Sequence, residues 1–333
     1  SVQSKIYSTM DLSFYHGPEY KKYVDKYIAF VKEHAKAFDY YVTLDIIFDP
    51  KLTWESTLYL ESCGLKPMPV FHYGEDHSWF KKYIERYEYV GVGGLGQTTT
   101  KGKYVDFANK TFGMVCDSKG VPQNKIHGFA MGAFDLMREW AWYSVDASSP
   151  FFFARMGSVI LPSPIIRNGK VVDWDFFAPT KPVAVTERRR FAKTSIEQVP
   201  AVTRRAILQY FELLGTSVEK LQDYTPRDVV NLYFFLRAAA EIVKAREERT
   251  GTPYPLKFYV SGKPSGATAK VGIETVCKEL DRMGIEDMYY LGTYFIPLTT
   301  KVMLKQGMFN GRPYGKERPR IRTQAGPTLP PVR

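Results

Sequence analysis

Apolar positions recur at helical spacing in "PEYKKYVDKYIAFVKEHAKAF", where Tyr20, Tyr23, Val24, Tyr27, Ile28 and Val31 fall on one face. A run of different character follows. "YYVTLDIIFD" reads as a strand and stops at Asp49-Pro50, a turn and helix-start signal. The alternation then repeats: a helix over 52–62 leads to "PMPVFHYG", a helix over 77–88 to "YEYVGVGGLG", a looser segment to "KIHGFAMG", and a helix over 133–141 to "WYSVDASS". Strands alternating with helices on short links predict βα units and a parallel sheet. Strands such as "YVGVG" are apolar on both faces, as a barrel wall or a doubly wound sheet requires.

The rhythm changes after residue 150. "GSVILPSPIIRNGKVVDWDFF" predicts a β-hairpin turning on Asn168-Gly169, which supply positive φ. Helices are expected over 195–214 and 226–248, the second capped by Thr225 with Pro226 in its first turn. The βα pattern returns in "LKFYVSG", a helix over 267–283, and "DMYYLGTYF"; the last stretch, "GRPYGKERPRIRTQAGPTLPPVR", is basic, Pro-rich and aperiodic.

Length narrows the architecture: 333 residues suit one large α/β barrel or two ordinary domains. The 46 Lys+Arg exceed the 35 Asp+Glu, a formal +11 that favours a polyanionic partner. Cys63, Cys116 and Cys277 are widely spaced with no CxxC pair, which argues against a disulfide framework and a cysteine-rich zinc site and fits a cytoplasmic protein. No HExxH occurs, so no metal is expected, nor any cofactor. Neither a membrane span nor a signal peptide is expected.

In parallel α/β folds, functional side chains gather where strands end. Those ends are, in order, Asp45, His72, Gly93-Gly94-Leu95, Phe129 and Asp146. Singly, each has a structural explanation: a turn aspartate, a hydrogen-bonded core histidine, an N-cap or Asx-turn at Asp146. "GVGGLG" satisfies GxGxxG through Gly91, Gly93 and Gly96, and Asp117 follows the strand-like "FGMVC". Against a dinucleotide site, "QTTTKGKYVDFANK" is a poor first turn for a crossover helix. The glycines could instead let backbone approach a flat ligand. A Ser144–His72–Asp45 triad lacks a GxSxG elbow. Basic clusters containing Arg188, Arg189 and Arg190, and Arg204 and Arg205, together with Arg155, suggest a phosphate-backbone channel.

The order and spacing of "VTLDIIFD", "PVFHYGED", "YVGVGGL", "KIHGFAMG" and "YSVDASS", over roughly 40–150, resemble the tRNA-guanine transglycosylase family, and more closely its phage relatives that place 7-deazaguanines into DNA. The resemblance implies a (β/α)8 barrel and a transferase that exchanges guanine for a free 7-deazaguanine base by double displacement. It implies Asp146 as nucleophile. Asp45 would receive the purine edge, His72 would stand where the family often has a glutamine reading the base carbonyl, Gly94 and Leu95 would offer backbone groups, and Phe129 a stacking face. Ala130 stands where a glycine is common. The family's Asp-Ser-Gly-Gly/Ala-Phe element, ahead of the first matched strand, does not occur here; the chain opens "SVQSKIYSTMD" as if cut just after it. The family's zinc site near the C-terminus is also missing, which favours DNA over tRNA as partner, in the cytoplasm of a bacterial host if the chain is phage-encoded.

The expected organisation is a barrel core over 1–150 carrying the active site, an inserted, largely helical subdomain over 151–250, closing βα units over 251–300 and a basic tail over 301–333, with homodimerisation left open. Two rival functions remain: a base-excising DNA glycosylase, and a non-catalytic nucleic-acid-binding barrel subunit.

Overall fold

The structure is a computed structural model that describes residues 17–35, 40–47, 49–94, 101–178, 181–186, 194–261 and 289–291. It is mixed α/β with parallel sheet, and the chain divides into two compact units: residues 1–131 with 140–143, and residues 132–139 with 144–333.

In the first unit, α1 (Pro18–His34) buries Tyr20, Val24 and Val31 along the predicted face. α2 (Pro50–Ser62) starts as its Asp-Pro signal requires: Asp49 accepts a hydrogen bond from the Leu52 amide at 2.9 Å, and Pro50 needs no amide partner. β1 (Val70–His72), α3 (His77–Arg86), β2 (Tyr89–Gly93), α4 (Lys101–Val115) and β3 (Lys125–Gly128) follow in alternation. β1 and β3 flank β2 in parallel, with His72 beside Gly93 and Gly128 beside Val92. Fifteen residues of α4 replace the expected loose segment. Its buried positions Tyr104, Phe107, Ala108, Thr111, Phe112 and Val115 follow helical spacing, so tertiary burial overrides the weak start. "FGMVC" is the end of this helix, not a strand. Residues 40–47, expected as a strand, make one parallel bridge, Val42 to Met68.

The second unit contains α5 (Phe134–Glu139), β4 (Ser144–Ala147) and α6 (Ser149–Arg155). Short β5 (Ser158–Val159) precedes β6 (Ser163–Arg167) and β7 (Lys170–Asp175), the predicted hairpin, turning through Asn168 at φ 50° and Gly169 at φ 72°. β8 (Val183–Ala184) and β9 (Thr194–Ser195) join β5 in a small sheet. Two helices follow, α7 (Ala201–Leu213) and the 27-residue α8 (Tyr224–Thr250). α8 begins before the expected Thr225 cap, because Pro226 is tolerated inside a first turn whose amides lack intrahelical partners. β10 (Lys257–Ser261) runs parallel to β4 with Tyr259 opposite Asp146, and β11 (Tyr289–Leu291) parallel to β10. Of the two strands expected to close the sheet, β10 therefore lies beside the Asp146 strand and β11 beside β10. Residues 144–147, expected in the barrel core, pack within the unit that holds the helical segment. The predicted helix 267–283 and the basic tail lie outside the described residues.

Asn231 and Arg227 tie this unit together from α8. The Asn231 amide accepts from the Ile160 backbone at 2.8 Å and donates to the carbonyls of Pro150 and Ser158. The Arg227 guanidinium, buried, donates to the carbonyls of Ala154, Leu221 and Gln222. No helix among the described residues is long and apolar enough to cross a membrane.

Candidate functional site

Asp45 is held by a segment without a β-ladder, so its backbone must find other partners. They come from α2. Buried Thr53 uses its hydroxyl both to accept from the Ile46 amide at 2.9 Å and to donate toward the Ile46 carbonyl at 3.1 Å. Thr57 meets the Thr43 hydroxyl at 2.9 Å. Two threonines on one helical face thus fix residues 43–46 and aim Asp45.

The Asp45 carboxylate reaches His72 at the C-terminal end of β1, Oδ2 to Nε2 at 2.7 Å. The opposite ring nitrogen, Nδ1, lies 3.1 Å from Oε1 of Glu75, whose Oε2 accepts the His72 amide at 2.9 Å. Glu75 arrives there through a turn closed by its own amide on the His72 carbonyl, with Gly74 at φ 92° supplying the left-handed residue. Burial opposes charge on the ring, yet the hydrogen bonds and charges of Asp45 and Glu75 outweigh it, and the imidazole is pushed up to about 9. At neutral pH His72 is therefore an imidazolium donating from both nitrogens. Its donors are committed to the two carboxylates, so the ring orients Asp45 and has none left for a base carbonyl.

Exposure separates the two acids. The side chains of His72 and Glu75 are 3% and 2% exposed, that of Asp45 33%. Asp45 Oδ1 makes no hydrogen bond among the described residues and is the open end of the network. Three phenols of α1 feel the same carboxylate through space: burial raises Tyr20, Tyr23 and Tyr27, and the Asp45 charge adds to it, keeping all three neutral.

β2 explains the glycines. A Cβ on Gly91 would stand 2.5 Å from the Phe129 ring, and one on Gly93 3.2 Å from the His72 ring. The two glycines make room for rings from β1 and from the end of β3. Gly91 and Gly93 lie inside the strand, whereas a dinucleotide fingerprint needs its first glycines in the turn after it, and Asp117 closes an Asx turn on Lys119 and Val121 at a helix end. The nucleotide alternative fails on those two positions. Gly94, at φ 77°, turns the chain out of β2 beside Tyr73. Phe129 packs edge-on against His127 at 4.4 Å, and Ala130 follows at φ 52°, a strained conformation for a residue with a Cβ.

Asp146, in the second unit, is the third residue of β4 and 7% exposed. The next helix takes Ser148 as its N-cap, so Asp146 is not the cap. Arg155, Arg204 and Arg205 are exposed on α6 and α7 of that unit. Leu95, Arg188, Arg189 and Arg190 lie outside the described residues. Asp45, His72, Gly94 and Phe129 are thus all placed in the first unit, where Asp45 and His72 are bonded directly. Glu75 was missed by sequence reasoning; the available signal was Gly74-Glu75 immediately after a strand ending in histidine. No three acidic, histidine or cysteine side chains among the described residues are arranged to hold a metal ion.

Compared with models of known protein families, with curated proteins and with solved structures, the chain finds no match.

Proposed function

We propose that the protein is a nucleic-acid guanine transglycosylase, most fitted to DNA, that exchanges guanine for a 7-deazaguanine derivative in the cytoplasm of a bacterial host, and that its parallel strands belong to a (β/α)8 barrel. The observation that carries this reading is the Asp45–His72–Glu75 network, a buried imidazolium holding a partly exposed carboxylate whose second oxygen makes no hydrogen bond among the described residues. Such an oxygen accepts N–H donors, which the edge of a guanine or deazaguanine supplies. Asp146 is assigned the nucleophile. Its carboxylate oxygen bonds C1′ as the C1′–N9 bond breaks and the electron pair leaves with the purine, which takes up a proton. The incoming base then loses a proton and displaces the carboxylate, restoring the original configuration. In a duplex the target base must first leave the stack. Exposed Arg155, Arg204 and Arg205 and the formal charge of +11 support a phosphate-bearing partner.

The test is incorporation of radiolabelled guanine by the complete chain into duplex DNA and, separately, into tRNA. Label should enter DNA, and Asp45→Ala should raise KM for the free base by at least about tenfold, since the carboxylate that receives its N–H donors is lost. Label in tRNA alone, or an unchanged KM, contradicts the assignment.

A further inference from the structure

The β6–β7 ribbon has an anchored base and an outlying tip. At the base the Trp174 ring packs on Tyr210 of α7 at 4.7 Å, and Asp175 accepts the Phe177 amide at 2.7 Å. Beyond Pro164 every residue from Ile165 to Lys170 is exposed. Pairing slips from Ile165–Asp173 to Ile166–Val171, so Val172 is an extra residue, a bulge that strengthens the local twist. Three large apolar side chains consequently stand in solvent, Ile165 at 37%, Ile166 at 41% and Val172 at 53%. At the tip Arg167 lies directly opposite Lys170, and both are exposed. Like charges facing across a ribbon oppose pairing, which an anion between them would relieve.

Building on the base-exchange reading, we propose that this hairpin is a nucleic-acid arm that enters the major groove of B-form duplex DNA. At about 3.3 Å per residue, Ile165 to Arg167 carry the tip about 10 Å past its anchor, comparable to a major groove about 8.5 Å deep and wide enough for a two-stranded ribbon. Arg167 and Lys170, at the tip, extend their long side chains to phosphates of the groove walls, while Ile165 and Ile166, nearer the anchor and on opposite faces of the ribbon, stand at the mouth of the groove. Asp173 and Asp175 lie toward the ribbon's base, so the charge gradient along the ribbon directs the tip, not the base, toward phosphate. A-form RNA, with its deep and narrow major groove, does not admit such a ribbon. The arm therefore selects DNA over tRNA.

Anisotropy of a fluorescein-labelled 20-base-pair DNA duplex and a matched RNA duplex, titrated with the complete chain at several salt concentrations, tests this. For the Arg167→Glu/Lys170→Glu double variant, with unchanged circular dichroism and Tm, DNA affinity should fall on the order of tenfold and the log–log salt slope should shrink by about two. RNA binding should be weaker and insensitive to the substitutions. Unchanged DNA affinity and slope in the variant, or equal loss on RNA, overturns the proposal. A wild-type chain that binds no duplex, while Ile165→Ser/Ile166→Ser alters its self-association, also overturns it and assigns the ribbon to a protein interface. The parent reading fails separately, if Asp146→Asn leaves base exchange on a single-stranded oligonucleotide intact.

Discussion

Removing the His72 ring would leave Glu75 as a buried carboxylate with no counter-charge, the costly half of a broken ion pair. His72→Gln should therefore destabilise the first unit by about 3–5 kcal/mol in urea unfolding. The wild-type protein carries a matching pH signature. Because the folded pKa of about 9 exceeds the ordinary 6.5, the contribution of His72 is complete below pH 6.5 and is lost as pH rises through 9. On the order of 3 kcal/mol should disappear across that window, and the variant's stability should be flat there. Gly91 makes a second residue-scale test. Gly91→Ala should cost about 1–3 kcal/mol by driving a methyl into the Phe129 ring, measured as a fall in Tm. His72 could be placed from sequence because it ends an apolar run that is a strand. Asp45 lies in a run that makes a single bridge, and the bond between the two left no trace in the sequence. Glu75 left a fainter signal, a glycine and an acid just after the strand, because its role depends on a turn that folds it back three residues. The glycines were legible as a motif and misleading as to cause, since what approaches them is protein.

The elements were readable wherever period and punctuation agreed. Asp49-Pro50 opens α2, Asn168-Gly169 turns the hairpin, and the strands 70–72, 89–93, 125–128 and 144–147 fall inside the apolar runs that predicted them. Threonines and a glycine hid α4, although its apolar face from Tyr104 to Val115 keeps helical spacing. Residues 40–47 misled in the opposite direction: their strand-like composition reflects burial against α2, with side-chain hydroxyls standing in for a ladder. Thr53→Val should expose that substitution. It keeps the volume, leaves the Ile46 amide unsatisfied, and should cost about 1–3 kcal/mol with faster amide exchange at Ile46.

At the scale of the whole molecule, the alternation of strands and helices was legible as a parallel α/β design, and the strand at 257–261 does pair beside Asp146. Where compact packing divides the chain was not. Sequence rhythm changes near residue 150, but β4 packs in the same unit as α8, whose buried Arg227 and Asn231 bind backbone more than 70 positions away. Such long-range hydrogen bonds leave no periodic trace. The central claim is that Asp146 attacks the sugar of a guanine nucleotide. The most direct measurement follows radiolabelled guanine into duplex DNA with the complete chain and with Asp146→Asn, binding being monitored in parallel. The account predicts label incorporation by the wild-type chain and its loss, with DNA affinity retained, in the variant. Undiminished incorporation by Asp146→Asn would contradict it.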